Sequence, residues 1–315
     1  MQRFGPYELV RPLGSGGMAE THLAVRRGPA GFEQHVCVKR ILPVHERDPE
    51  LVRQFMEEAR LAAQLRHSNI TQVVDFGVVE GSHYLALELV DGMDLRSLLK
   101  HLRERGARLD PSVVAYVGTE LAKALDFAHT PSGSRYAVVH RDISPSNILA
   151  SRAGEVYLTD FGIARALGVK RQTESGVIRG KVPYMAPEYA LGGRFDARSD
   201  LFALGVVLFE MLAGHRPFDG ATDLDTLQRI KDGNRKALGP LRPDAPPQLV
   251  KTIERMLAPD PSYRWQSAAE VLDALSAVAA PATTGRVLGE LVRGAGGSLA
   301  ASLRVSSPSQ TAGLG

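Results

Sequence analysis

The sequence lacks several features that would each favour a particular class of protein. Cys37 is its only cysteine in 315 residues, so an intrachain disulfide is excluded. That absence favours a reducing compartment, and so a cytoplasmic location, over a disulfide-stabilised secreted protein. The formal net charge is only +3, and the basic residues are scattered along the chain, which argues against nucleic acid as the main partner.

Long hydrophobic runs are also missing. No stretch approaches the roughly 18 apolar residues that a membrane-spanning helix needs, and no apolar run follows residues 1–6 that would serve as a signal peptide. The most apolar segment, residues 201–212, is too short and contains Glu210, so it predicts a buried core helix. With 44% hydrophobic and 23% charged residues, the composition is that of a globular protein.

Hydrophobic patterning divides the chain into two parts. Residues 7–90 are rich in strand patterns, with one helix predicted over residues 49–65 from its apolar face. Residues 91–277 are mostly helical in pattern. We therefore predict an α+β architecture, with a small antiparallel sheet lobe that carries one main helix and a larger, mainly helical lobe. A cleft between two such lobes would suit a nucleotide.

The C-terminal segment has a different composition. Residues 281–315 are rich in Gly, Ser, Ala and Thr and nearly free of aromatic residues. This composition predicts a flexible tail. Residues 287–292 leave room for one or two amphipathic helical turns.

A glycine cluster occupies residues 13–21, between two predicted strands. Its place between two strands, rather than between a strand and a helix, argues against a dinucleotide-binding fold. A glycine-rich hairpin lets backbone N–H groups approach phosphates closely. Because glycine is also the ordinary residue of hairpin turns, the cluster alone leaves both interpretations open.

Two charged residues follow the glycine cluster in the sequence. Lys39 ends an apolar strand, and Glu58 lies on the predicted helix that follows. Each, taken alone, is most simply a solvated side chain. As a pair they would form an ion pair that holds the ammonium group against phosphate oxygens.

The strongest signal is the segment HRDISPSN at residues 140–147, followed by DFG at residues 160–162. Phosphoryl transfer needs a carboxylate beside the attacking hydroxyl, together with oxygen ligands for Mg²⁺. Asp142 suits the first requirement, and Asn147 and Asp160 suit the second.

In this order, the motifs resemble those of the protein kinase superfamily. The activation segment would close at residues 185–188 (MAPE), and the resemblance extends to Asp200 and Arg264 and covers about residues 7–277. The chain is similar to the eukaryotic-like (Hanks-type) serine/threonine protein kinases of bacteria, and the Ser-Pro form of its catalytic loop resembles that of myxobacterial kinases. The resemblance implies a bilobal kinase fold with an N-lobe at about 7–90 and a C-lobe at about 91–277.

The resemblance implies ATP and Mg²⁺ as cofactors, with Mn²⁺ as an alternative metal, and protein substrates. By residue type, Lys39 would contact the α- and β-phosphates and pair with Glu58. Asp142 would orient the substrate hydroxyl and accept its proton, while Asn147 and Asp160 would bind the metal.

The resemblance also assigns the nucleotide pocket. The Glu88 carbonyl and the Val90 amide would meet the adenine edge, and Asp94 would bond the ribose. The glycine-rich loop would contribute Gly14, Ser15, Gly16, Gly17 and Thr21. The apolar residues that sandwich the base would be Leu13, Cys37 and Leu149.

Two departures from the family pattern concern the γ-phosphate. Ser144 stands where serine/threonine kinases carry a lysine, and Lys181 stands where they carry a threonine. Since transferred phosphate needs positive charge nearby, we hypothesise that Lys181 is catalytic and supplies the missing cation near Asp142. The alternative is that Lys181 points to solvent and Ser144 weakens catalysis.

The segment before residue 187 carries candidate regulatory sites. Arg141 is the residue that, in the family, often pairs with an activation-segment phosphate. Thr173 and Ser175, flanked by basic residues, are the predicted autophosphorylation sites, unless this loop is merely solvated. A homodimer for trans-autophosphorylation is an expectation from family analogy alone.

Two other functions remain alternatives. A pseudokinase scaffold would have no need of the complete set Lys39, Asp142, Asn147 and Asp160, although Ser144 keeps this alternative open. A small-molecule phosphotransferase would usually lack the Ala-Pro-Glu end of the activation segment, which this chain has at residues 186–188.

Overall fold

The structure is a computed structural model that describes residues 2–16, 18–133, 136–161, 182–190, 192–193, 195–278 and 280–296. Several residues singled out in the sequence lie outside the described residues: Gly17, Gly162, Thr173, Ser175 and Lys181. The described chain forms an antiparallel sheet with one long helix, followed by a mainly helical part.

The N-terminal sheet has six antiparallel strands in the order β1-β2-β3-β4-β6-β5. Their bounds are β1 (Gln2–Phe4), β2 (Tyr7–Ser15), β3 (Ala19–Arg27), β4 (Glu33–Ile41), β5 (Val73–Val79) and β6 (Ser82–Glu88). Side chains alternate between the faces of a strand. On β4 this alternation buries Val36 and Val38 on one face and places Cys37 and Lys39 on the other.

One long helix, α1 (Pro49–Ala62), packs on this sheet. Its first turn is capped by Asp48, whose side chain accepts hydrogen bonds from two backbone amides. Phe55 and Ala59 are buried against Ile41 of β4. This packing turns the helix face that carries Glu58 toward the sheet.

The C-terminal part is built around a buried helix. Its helices are α2 (Leu95–Glu104), α3 (Pro111–His129), α4 (Pro187–Ala190), α5 (Ala197–Ala213), α6 (Asp223–Asp232), α7 (Leu238–Leu241), α8 (Pro247–Met256) and α9 (Ala268–Ser276). The apolar segment predicted to be a core helix is α5, whose residues are almost all buried. Among the described residues, no helix is both long and apolar enough to cross a membrane.

A second, small sheet has the order β7-β8-β9, with β7 (Gly92–Asp94), β8 (Ile148–Ser151) and β9 (Val156–Leu158). Asp94 of β7 is paired in register with Leu149 of β8. The predicted α+β architecture, with a small sheet lobe and a larger helical lobe, is confirmed.

The structure differs from the sequence prediction in the segment 281–315, which was predicted to be a flexible tail. Residues Thr284–Gly294 form a helix, α10, and Leu288 and Val292 are buried in the main hydrophobic core. The small residues that suggested flexibility instead allow the helix to approach the rest of the chain closely. Residues 297–315 lie outside the described residues.

Candidate active site

The loop that carries the HRDISPSN motif is fixed by one buried carboxylate. Asp200, at the start of α5, is fully buried. It accepts hydrogen bonds from the backbone amides of His140 at 2.7 Å and Arg141 at 2.8 Å, and its Oδ2 lies 2.8 Å from the His129 ring. Arg141 has a left-handed φ of 66°, a strained conformation for a non-glycine residue. The two bonds to Asp200 hold it there.

His140 connects the two halves of the site. Its Nδ1 accepts from the Asp142 amide at 3.2 Å, and its Nε2 donates to the Thr159 carbonyl at 3.0 Å. Complete burial lowers the pKa of His140, which keeps the ring neutral and preserves this donor and acceptor pattern. The ring therefore ties Asp142 to the residue that precedes Asp160.

Asp142 and Asn147 are in direct contact. The Asn147 amide nitrogen donates to the Asp142 carboxylate at 2.9 Å and to its backbone carbonyl at 2.8 Å. Both amide hydrogens are thereby used on Asp142, and the amide oxygen remains as the acceptor of the group. The Asn147 carbonyl accepts from the Thr159 amide at 3.0 Å, which brings Asn147 beside the segment that carries Asp160.

A second cluster joins the sheet, α1 and the DFG segment. The Lys39 ammonium lies 2.8 Å from Asp160 Oδ1 and 3.5 Å from Glu58 Oε1. Burial raises the pKa of Glu58 to about 7, an effect that the nearby Lys39 charge opposes. Burial also disfavours the Lys39 charge, but Asp160 and Glu58 more than offset this and raise the pKa of Lys39. The site therefore holds a permanent cation.

The conformation of Asp160 is set by its neighbour. Asp160 has a φ of 57°, and the Phe161 side chain that follows is buried, with its ring 4.5 Å from the His140 ring. The burial of Phe161 on one side and the ion pair with Lys39 on the other would both hold this strained backbone in place. Gly162 lies outside the described residues.

The glycine-rich segment is a hairpin between β2 and β3, beside Lys39. Gly14 pairs across the hairpin with Thr21, and Thr21 pairs in turn with Lys39. A Cβ built on Gly14 would meet nothing within 4 Å, so packing within the chain does not require glycine there. Open space above the hairpin is the condition for a ligand to approach its backbone.

The predicted hinge and pocket residues are spread over several strands. They are Leu13 on β2, Cys37 on β4, Glu88 at the end of β6, Val90 between β6 and β7, Asp94 on β7 and Leu149 on β8. Cys37 pairs with Leu87 and Leu149 with Asp94. Burial raises the pKa of the Cys37 thiol to about 12, so the thiol stays uncharged. Both carboxylate oxygens of Asp94 accept hydrogen bonds from Ser97 at 2.8 Å, so a ribose hydroxyl would share this carboxylate with the first turn of α2.

Of the two positions that depart from the family pattern, the structure describes Ser144 but not Lys181. The Ser144 side chain is buried, and its hydroxyl lies 3.0 Å from the Ser146 hydroxyl. Lys181 lies outside the described residues, as do Thr173 and Ser175. The hypothesis that Lys181 replaces the missing lysine therefore stays a prediction.

At the end of the proposed activation segment, Glu188 forms an ion pair with the fully buried Arg264. Both guanidinium nitrogens Nη1 and Nη2 lie 2.8 Å from the carboxylate oxygens. Nearby, the Tyr184 hydroxyl donates to Glu210, a contact that the sequence argument missed. The signal was present, since a carboxylate inside an apolar core helix is costly unless it has a partner.

The residue types fit a nucleotide and a divalent metal. Carboxylate and amide oxygens, as on Asp160 and Asn147, are ligands that Mg²⁺ accepts, with phosphate and water supplying the rest. Among the described residues, no group of three or more His, Cys, Asp or Glu side chains would hold a metal without such help.

Comparison with known proteins agrees with this geometry. A family model described as the protein kinase domain matches residues 7–275. The crystal structure of the Mycobacterium tuberculosis PknI kinase domain superposes with a TM-score of 0.64 at 30% identity, covering 88% of this chain and 98% of that one.

Curated relatives are longer than this chain. Tyrosine-protein kinase MasK of Myxococcus xanthus is 42% identical over 278 residues, which cover 87% of this chain and 43% of MasK. Serine/threonine-protein kinase PknA of Mycobacterium tuberculosis is 38% identical, covering 88% of this chain and 62% of PknA. Serine/threonine-protein kinase PrkC of Bacillus subtilis is 33% identical, covering 85% of this chain and 39% of PrkC.

Proposed function

The chain belongs to the protein kinase domain family, and on that premise we propose that it transfers the γ-phosphoryl group of ATP to serine or threonine hydroxyls of proteins in bacterial signalling. The observation that carries the proposal is the meeting of two clusters. Lys39 lies 2.8 Å from Asp160, and Asp142 lies 2.9 Å from Asn147. The His140 ring and the Thr159 backbone join the two.

Each residue of these clusters has one task. Lys39, held by Glu58, would bind the α- and β-phosphates as a fixed cation. Asp142 would orient the acceptor hydroxyl and take its proton. Asn147 and Asp160 would hold Mg²⁺, which when bound offsets phosphate charge.

The nucleotide is proposed to lie between the hairpin and the small sheet. Leu13, Cys37 and Leu149 would enclose the base, and the backbone of Glu88 and Val90 would meet its edge. The hairpin would cover the phosphates through backbone N–H groups, and its proposed contributors are Gly14, Ser15, Gly16, Gly17 and Thr21. Because ATP and reduced thiols are both typical of the cytoplasm, we place the reaction there.

The acceptor amino acid is the point on which the relatives differ. PknA and PrkC are named as serine/threonine kinases, whereas MasK is named as a tyrosine kinase. Tyrosine phosphorylation is therefore the second candidate function, favoured by the 42% identity to MasK.

Incubation of the full chain with γ-labelled ATP, Mg²⁺ and a generic acceptor protein tests the proposal. We expect label on phosphoserine and phosphothreonine after acid hydrolysis of the acceptor, and on Thr173 or Ser175 of the chain itself when its peptides are mapped.

Label on phosphotyrosine alone would replace the serine/threonine assignment by the second candidate. ATP binding without any transfer would favour the pseudokinase alternative. A rate that rises with the square of enzyme concentration would support trans-autophosphorylation between two copies that associate transiently.

Replacement of Lys181 by alanine tests the proposed origin of the missing cation. If Lys181 contacts the γ-phosphate, kcat should fall by about fivefold or more, since a charge contact in the transition state is worth over about 1 kcal/mol. Lys231→Ala, at an exposed position of α6, is the control and should leave kcat unchanged. A loss below about threefold for Lys181→Ala would refute the cation hypothesis.

A further inference from the structure

Helix α10 packs against the turn that joins β8 to β9. Leu288 and Val292 anchor the helix in the core. Gly285 and Gly289, one helical turn apart on the same side, face the turn at residues 151–155.

The closest approach between α10 and this turn is between backbone atoms. A Cβ on Gly289 would lie 2.6 Å from the Arg152 carbonyl oxygen, and a Cβ on Gly154 would lie 1.7 Å from the Gly285 carbonyl oxygen. No side chain fits at either position. Arg293 also donates to the Arg152 carbonyl. The Tyr116 hydroxyl of α3 donates to the Gly154 carbonyl at 3.1 Å.

The same turn is bonded to the segment that follows the hinge. The Arg152 amide donates to the Asp91 carbonyl at 2.8 Å, and Ser151 pairs with Gly92. A Cβ on Gly92 would lie 2.0 Å from the Ala150 carbonyl oxygen, so this contact is also between backbones. Two register steps further along the same pair of strands, Leu149 pairs with Asp94.

We propose that α10 is a positioning element for the nucleotide, in which Gly285 and Gly289 hold the turn at 151–155 and thereby fix Leu149 and Asp94. The glycine contacts of the helix and the strand pairings that follow them form a continuous series of backbone contacts to these two residues, so a displacement of the turn is passed on without a flexible side chain in between. The inference rests on the proposed function, since Leu149 and Asp94 are nucleotide residues only if the chain binds ATP.

Three glycine-to-alanine substitutions in the full chain test it. Gly289→Ala places a methyl group against a backbone carbonyl, whereas Gly285→Ala places one 3.1 Å from the Tyr116 hydroxyl, which is able to shift. Gly294→Ala is the matched control, because its Cβ would meet nothing within 4 Å. We expect the Kd for Mg-ATP, measured by calorimetric titration, to rise by about tenfold for Gly289→Ala, by about threefold for Gly285→Ala and by less than about twofold for Gly294→Ala.

The thermal midpoint of unfolding of each variant distinguishes a role of α10 in positioning the nucleotide residues from a role in stabilising the fold alone. Alanine favours a helix more than glycine does, so an undocked or purely local α10 would be stabilised by all three changes. A lowered midpoint for Gly289→Ala with an unchanged Kd would overturn the proposal. If that variant does not fold, Gly285→Ala decides, and a Kd equal to that of Gly294→Ala would overturn it. Absence of ATP binding by the unmodified chain would instead refute the proposed function.

Discussion

Replacement of Asp142 by asparagine is expected to lower kcat for phosphoryl transfer by about 10²- to 10⁴-fold, the range typical of a lost general base. Asparagine keeps the shape of the side chain and still offers an oxygen to the Asn147 amide, which now bonds the Asp142 carboxylate at 2.9 Å. Asparagine has no lone pair basic enough to take the hydroxyl proton. The initial rate of labelled phosphate transfer to an acceptor protein measures the effect.

The Kd for Mg-ATP gives this prediction its control. Lys39 and Asp160 form a separate ion pair at 2.8 Å and should be unaffected. Asn147, the other proposed metal ligand, keeps its bond to the backbone carbonyl of residue 142. The Kd of Asp142→Asn should therefore stay within about twofold of the unmodified value. Asp273→Asn, at an exposed position of α9, should change neither quantity. A kcat loss below about tenfold would rule out Asp142 as the base.

Replacement of Arg264 by methionine is expected to lower the free energy of unfolding by about 3–5 kcal/mol, because it leaves a buried charge without its partner. Arg264 is fully buried. Besides its two bonds to Glu188, it donates to the backbone carbonyls of Ala258 at 2.8 Å and Pro259 at 2.9 Å. Methionine has a similar length but satisfies none of these acceptors. Urea denaturation followed by circular dichroism measures the loss.

The pH dependence of the free energy of unfolding tests the same ion pair in a second way. Burial opposes ionisation of Glu188, but hydrogen bonds from Arg264 and Ser199 hold its pKa below the ordinary 4.5. The pair therefore stabilises the fold at neutral pH, and this contribution is lost as the pH falls from about 4.5 through the lowered pKa. The Arg264→Met variant should lack this acid-dependent step.

An exposed ion pair and a double variant serve as controls. Arg229→Met removes the partner of Asp225 in a pair where both side chains are about two fifths exposed, and it should leave the urea midpoint unchanged. Adding Glu188→Leu to Arg264→Met should restore part of the lost stability, because no unpaired carboxylate remains. A loss below about 1 kcal/mol for Arg264→Met alone would contradict the prediction.

Local patterns in the sequence predicted the elements well where periodicity is strong. The apolar face of residues 49–65 corresponds to α1, although the helix ends at Ala62. The apolar segment at 201–212 lies within α5. The strand β8 was not predicted, and α10 was foreseen only as one or two turns at residues 287–292. Both are stabilised by contacts with distant residues, which local propensity does not report.

The sequence likewise predicted some features of the candidate site and not others. Motif order brought Lys39, Glu58, Asp142, Asn147 and Asp160 into one hypothesis, and the structure places all five in or beside the joined clusters. Spacing alone did not show that Lys39 lies closer to Asp160 than to Glu58. Nor did it show that Ser97 occupies both carboxylate oxygens of the proposed ribose residue Asp94.

By itself, the sequence determined the family, the types of side chain available for phosphoryl transfer and the two departures at Ser144 and Lys181. These are properties of residue identity and order along the chain. Only the tertiary structure decided that α10 closes against the turn at 151–155, since composition describes Gly285 and Gly289 equally well as parts of a flexible tail. Glycine permits both disorder and close backbone approach, and the burial of Leu288 and Val292 selects the second.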